Sequence, residues 1–392
     1  MRILFLKVTL AWPRSSGHDV HCFYMMQALA RLGHEVSLIT AHDPAPGALD
    51  GLPLAFRRTF RAPEETQTGP AHMSRLQERF RCYWGIDMAR IHAVADTAEE
   101  VKADAVIVVG LNVLPYLAAI KKCMRIWYAA DEWAWHHLSQ TRMLRPSTWR
   151  ELKQALVKGL YERAYRGLVD RVWVVTERDR WAMRLVAGMQ NVDVIANGVD
   201  GDHYRPVEAS QVERSCTFWG RLDFGPNIQA LDWFCRRVWP LVRRQIPNCR
   251  FTIYGFNPSE AVRAMAGHDG IELVPDLPDL RVEIARHQAV VLPFVSGGGI
   301  KNKLLEAASM GKPIVCTDHA CGGLRLEADA PMLIARRSEQ WATHLRTLWC
   351  NPSTRNELGA KARRWVLSHH TWRTAAATAA SGLQESLGKV RR

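Results

Sequence analysis

The chain is 392 residues long, more than one ordinary hydrophobic core accommodates, so at least two domains are expected. With 47% hydrophobic and 23% charged residues, the composition is that of a globular protein and excludes a disordered chain. A formal net charge of +13 suits anionic partners, and nine cysteines without a Cys-x-x-Cys pair read as reduced thiols of a cytosolic protein.

The opening run Met1 to Leu6 is cut short by Lys7, with no small-residue cleavage site after it. It predicts a buried strand and not a signal peptide. Short β-branched runs then alternate with longer helical patterns, the signature of parallel α/β sheets. Strands are expected at Ile3–Leu6, Val36–Thr40, Ala105–Val109, Ile126–Ala129, Val172–Thr176 and Val192–Ile195. A second series starts at Thr217–Trp219 and continues with Phe251–Tyr254, Ile271–Val274, Val290–Pro293, Ile314–Thr317 and Met332–Ile334. The apolar stretch Ala105 to Ile120 is interrupted by Asn112 and Pro115 and falls short of the ~20 residues that span a bilayer.

Two domains, each with an open, doubly wound, Rossmann-like parallel sheet, follow from this alternation. The expected division is residues 1–205 for the first, a linker over 206–213, and 214–369 for the second. An Ala-rich terminal helix over 370–392 is expected to pack back toward the first domain. A helix is predicted from Thr148 to Asp170, with Thr148 and Glu151 as a capping box. It is rich in cations, as is the aromatic stretch Arg75 to Arg90. Either can touch an anionic bilayer or a lipid-linked diphosphate, or simply present a solvated face.

The most informative segment is Val290 to Ala308, which reads strand, glycine loop, helix. Gly297, Gly298 and Gly299 let the backbone approach a ligand, and amides at the helix start favour an anion such as a diphosphate. Helical spacing puts Asn302, Lys303 and Glu306 on one face, where Lys303 meets phosphate and Glu306 a ribose diol; the bland alternative is an exposed Lys303–Glu306 pair. Upstream, Gly220 and Arg221 follow a strand, where a doubly wound sheet receives its ligand. Asp200-Gly201-Asp202 matches a metal-binding Asp-x-Asp by letter but sits in a turn, and Cys316, Asp318, His319 and Cys321 fit no zinc spacing. No metal is expected.

Together, Asn197-Gly198-Val199-Asp200, Gly220-Arg221-Leu222, Tyr254-Gly255, the Gly297–Glu306 loop and helix, and Gly311-Lys312-Pro313 make the second half resemble the donor domain of retaining GT-B glycosyltransferases of family four, exopolysaccharide-associated type. The first half is similar more loosely, through the loop from Pro13 to Asp19 and Gly33-His34-Glu35. The resemblance implies a metal-independent transferase that needs no cofactor and moves a hexose from a UDP- or GDP-sugar to a glycan or lipid-linked acceptor. It implies a role in polysaccharide or glycoconjugate synthesis, in the cytoplasm or at the inner face of the cytoplasmic membrane. Nucleic acid is not an expected partner, since no recognition motif accompanies the charge.

By the same resemblance Arg221 and Lys303 bind the donor diphosphate, Glu306 the ribose, and Leu277 lies near the base. Gly17 approaches the donor from the first domain. Asn227, Tyr254, Gly255, Gly298, Gly299, Ile300, Lys301 and Leu305 complete the expected donor site. Gly298 stands where many family members carry Glu, and Asn227 near a frequent Lys, for which Lys301 is the expected substitute. Acceptor-side candidates are Asp131, within the Trp-rich segment 131–137, and His18 and Asp19. A sugar-nucleotide epimerase and a binding protein without turnover are the competing readings.

Overall fold

The computed structural model describes residues 1–12, 17–60, 73–130, 146–324, 326 and 330–390. It divides into two compact units, Met1–Ala196 with Trp372–Arg392, and Asn197–Thr371. The division thus falls after Ala196, ahead of the expected boundary at 205, and the terminal helix belongs to the first unit.

The first unit is built on strands β1 Arg2–Lys7, β2 Glu35–Thr40, β3 Phe56–Thr59, β4 Ala105–Val109, β5 Met124–Ala130, β6 Arg171–Val174 and β7 Val192–Val194. They form one parallel sheet in the order β3-β2-β1-β4-β5-β6-β7. Ile3–Leu6 of β1 and the whole of β4 are continuous apolar runs because helices cover both sheet faces. Helices of this unit are α1 Gly17–Arg31, α2 Arg75–Tyr83, α3 Met88–Glu100, α4 Pro146–Tyr165 and α5 Glu177–Ala182.

One core lies between the sheet and α1, and the C-terminal helix (residues 372–390) closes it with Trp372, Ala376, Ala379 and Leu383. The other gathers Ile91 and Val94 of α3 and Tyr161 and Tyr165 of α4 against the opposite face. The edge strand β3 was not expected: its Phe-Arg-Arg-Thr sequence lacks an apolar run, and Arg58 instead bonds Thr97 and Glu100 on α3. The helix expected at Thr148 starts at Pro146, a residue suited to a first helical position, so Thr148 is not its cap. A capping box does form at α2, where the Ser74 hydroxyl accepts from the Gln77 amide and the Gln77 side chain accepts from the Ser74 amide.

The second unit holds strands β8 Val212–Arg221, β9 Arg250–Phe256, β10 Ile271–Pro275, β11 His287–Leu292, β12 Ile314–Cys316 and β13 Leu333–Ile334, in the order β10-β9-β8-β11-β12-β13. All pairings are parallel. The helices are α6 Gly225–Trp233, α7 Trp239–Gln245, α8 Glu260–Arg263, α9 Arg281–Arg286, α10 Asn302–Ser309, α11 Ser338–Cys350 and α12 Pro352–His369; α13, Trp372–Val390, returns to the first unit. β8 begins at Val212, inside the segment expected to be linker. Its polar start is held by Gln288, whose side chain accepts from the Arg214 amide.

Candidate active site

Strand ends decide where ligands go in this fold, and β8 and β9 end side by side with Gly220 opposite Gly255. A Cβ on Gly255, at φ +150°, would collide with the Gly220 carbonyl. One on Gly220, at φ +143°, would stand 2.6 Å from the Lys303 ammonium. The two glycines therefore bring the strand ends together and leave the room that Lys303 fills.

Lys303 reaches that space from the first turn of α10. Its ammonium lies 5.7 Å from the centre of the Phe218 ring and 5.8 Å from that of Phe294. Its hydrogen-bond partner is the Asn227 side-chain oxygen at 3.5 Å. Burial pushes the Lys303 ammonium below its ordinary range, and Glu306 draws it partly back. Glu306 accepts from the Trp219 indole at 3.0 Å, and burial raises its carboxyl more than Trp219 and Lys303 lower it. The two do not pair with each other, so the exposed Lys–Glu pair is not what this helix makes. Asn227 donates to the Arg221 carbonyl at 2.7 Å and so links the end of β8 to Lys303.

The glycine loop bends at Gly297 (φ +94°) and Gly299 (φ +64°). Lys301 turns back on it, donating to the carbonyls of Gly297 at 2.9 Å and Gly298 at 2.5 Å, and His319 meets the Gly297 carbonyl at 2.7 Å. Lys301 is thus engaged by its own loop. The amides of Gly298, Gly299 and Ile300 donate to no acceptor among the described residues, and α10 lacks a side-chain cap. Uncapped helix starts with free amides favour anions.

The remaining donor-side candidates are placed as follows. Arg221 is half exposed and makes a two-pronged pair with Asp223, both contacts at 3.0 Å. The Tyr254 hydroxyl sits 2.9 Å from the His287 ring, so its side chain serves a buried network. Leu277 is half-buried in a loop tied to Gly255 through the Asp276 amide. Ile300 and Leu305 are buried, which leaves only their backbone for a ligand. Sequence reasoning missed Trp219, Phe218 and Phe294, and missed that Asn197 donates to the Asn302 side chain at 2.7 Å.

The metal-like sequences have other duties. The Asp200 carboxylate accepts from the Asp202 and His203 amides at 3.1 and 3.0 Å. Asp318 pairs with Arg336, while Cys316 and Cys321 lie 3.3 Å apart in the core.

In the first unit Gly17 opens α1, and among the described residues nothing lies within 4 Å of where a Cβ on it would stand. Asp19 is buried and ion-paired with Lys7, which also donates to the Thr9 carbonyl. His18 lines a pocket of about 250 Å³, and burial, then Lys7, lowers its pKa to about 4. Asp131 and the segment to residue 137 lie outside the described residues.

Two family models align with the chain: "Glycosyltransferase Family 4" over residues 15–203 and "Glycosyl transferases group 1" over 213–351. The chain is a glycosyltransferase. The second match runs from β8 to the end of α11 and so contains the Gly220–Lys303 arrangement. The glycosyltransferase shares its GT-B fold with sucrose-phosphate synthase from Thermosynechococcus elongatus, at 16% identity over 99% of each chain and a TM-score of 0.69. It is similar also to HepE from Anabaena, crystallised with UDP and glucose, at 15% identity over 97% of this chain and 99% of that one, with a TM-score of 0.64. An uncharacterised 44.6 kDa protein of the cps region of Klebsiella pneumoniae is 25% identical over 161 residues, 39% of this chain and 42% of that protein.

Proposed function

We propose that this glycosyltransferase is a retaining, metal-independent hexosyltransferase that draws on a UDP- or GDP-sugar and glycosylates a glycan or lipid-linked acceptor in polysaccharide or glycoconjugate synthesis. The observation that carries the reading is Lys303, a desolvated ammonium that forms no ion pair among the described residues, on the helix that follows a loop with three free amides. A half-buried cation of this kind, drawn out of water, is costly unless a ligand supplies the counter-charge. A nucleotide diphosphate supplies it, with Glu306 one turn on to accept hydrogen bonds from the ribose. HepE, a structure of the same fold, holds UDP.

The chemistry then rests on positioning and charge stabilisation. As the bond between the sugar and the diphosphate breaks, negative charge grows on the leaving phosphate, where Lys303 and the loop amides stabilise it. The acceptor hydroxyl attacks from the same face and gives its proton to the departing phosphate oxygen. The protein need supply no strong base, in keeping with Asp19 being committed to Lys7. The lysine and amides do the work a divalent ion performs elsewhere.

A membrane-bound acceptor is supported by the outer face of α4. Trp149, Leu152, Leu156 and Leu160 are exposed there at helical spacing, with Arg150, Lys153 and Arg163 beside them. Trp181 and Leu185 are exposed as well. An apolar stripe edged by cations fits the surface of an anionic bilayer. No described helix is long and apolar enough to cross one.

Titration with UDP, GDP and their glucose and galactose conjugates tests the reading. Lys303→Ala and Glu306→Ala are expected to weaken nucleotide binding by roughly ten-fold each, about 1.4 kcal/mol, with the fold retained. Unchanged affinity in both variants overturns the site. Transfer should survive chelators; a strict divalent requirement contradicts the mechanism.

A further inference from the structure

Helix α4 has a second face. Turned inward, opposite Trp149 and Leu156, it places Ala155, Tyr161 and Tyr165 in the core, with Lys158 half-buried on the same side. The Lys158 ammonium lies 5.3 Å from the centre of the Trp84 ring and joins no ion pair or hydrogen bond among the described residues. Burial lowers its pKa, and Glu162, one turn on, partly restores it.

Lys158 reaches the pocket of about 250 Å³ that His18 also lines. That pocket lies where β1 and β4 end, the point at which strand order in the first sheet reverses. Lys7 on its wall is neutralised by Asp19. The Gly110 carbonyl is occupied by the Trp127 indole at 2.9 Å, and Gly110, at φ +105°, adds no side chain next to His18 and Asn112. The polar side chains on the rest of its lining are the Lys158 ammonium, the Asn112 amide, the Trp84 indole and the His18 imidazole. The pocket is smaller than the roughly 300–1,000 Å³ of a site for a drug-sized molecule, so it suits an anionic group and not a second nucleotide sugar.

We propose that this pocket receives a phosphate group carried by the sugar acceptor, with Lys158 as the cation that recognises it and His18 and Asn112 beside it. The inference rests on the transferase reading and names the acceptor class: a phosphate ester. One helix then faces both ways, its inner lysine toward the phosphate and its outer leucines toward a lipid tail.

The test uses the full chain saturated with UDP, so that the donor half is occupied and its affinity is recorded on the same sample. Inorganic phosphate and dihexanoyl phosphatidic acid are then titrated in separate arms. Binding in either arm, weakened at least ten-fold by Lys158→Met and retained by Lys158→Arg, supports the proposal. Binding of the lipid phosphate alone identifies a lipid source; binding of both identifies the phosphate itself as the determinant. Asn112→Leu provides a second variant with the same expected loss should Lys158→Met fail to fold. The proposal is overturned if neither probe binds, or if affinities are unchanged in the variants. Failure of UDP to bind counts against the donor site instead, and the phosphate arms still report independently.

Discussion

Lys303 occupies the space beside Gly220 that any other residue's Cβ would claim, 2.6 Å from its ammonium. The obstacle is the mobile end of a long side chain, and so an alanine at position 220 displaces the lysine more readily than it breaks the sheet. Gly220→Ala is expected to cost about 1–3 kcal/mol through the strained φ. Nucleotide affinity should fall about as far as in Lys303→Ala. Paired melting curves and UDP titrations check this, and an alanine variant with native affinity would refute the steric relationship.

Trp372 stacks on Tyr24 with ring centres 5.6 Å apart and planes 9° from parallel, and meets His21 edge-on. It is nearly inaccessible to solvent. Trp372→Ala should destabilise the first unit by roughly 3–5 kcal/mol. The second unit, from Asn197 to Thr371, should keep its own transition. Denaturant unfolding followed separately in each unit distinguishes this from a uniform loss.

Acid should destabilise the protein through three histidines. Burial lowers His18 and His287 to about 4 and His21 to about 3, with Lys7 adding at His18, Lys312 at His287 and His18 at His21. Unfolded, they titrate near 6.5. Between that value and about 4 the unfolded chain binds protons that the folded chain refuses. Their contribution is therefore complete above 6.5 and declines as pH falls. Tm should drop between about pH 7 and pH 5, and His21→Gln should flatten the slope. A Tm constant over that range contradicts the assignment.

The outer face of α4 gives a separate prediction. Sedimentation with vesicles containing anionic lipid should deplete the protein from solution, less so at high salt. Leu156→Asp, at a position 66% exposed, should weaken that binding on the order of ten-fold without changing the melting temperature. Equal sedimentation of wild type and variant would remove the membrane from the proposal.

Much of the fold was legible because parallel strands buried on both faces leave continuous apolar runs, as at Ala105–Val109. The edge strand Phe56–Thr59 left none, since Arg57 is exposed and Arg58 is used sideways against α3. At the site, the spacing of Lys303 and Glu306 was readable from helical period. Their burial was not, because it depends on Phe218 and Trp219 from β8 and Phe294 after β11. Arg221 shows the converse. Asp223, two residues away, holds its guanidinium, and that pairing stood in the sequence beside the motif that drew attention to the arginine.

The closure of the first core by α13 also bears on the order of synthesis. A chain emerging from the ribosome presents Ile3, Met25 and Tyr128 long before Ala376 and Leu383, which cover the same core. The unit made second, from Asn197 to Thr371, is complete in sequence while the unit made first still lacks its last helix. During that interval α1 and its neighbouring strands present an uncovered apolar surface. That surface is what a nascent-chain chaperone would find to hold.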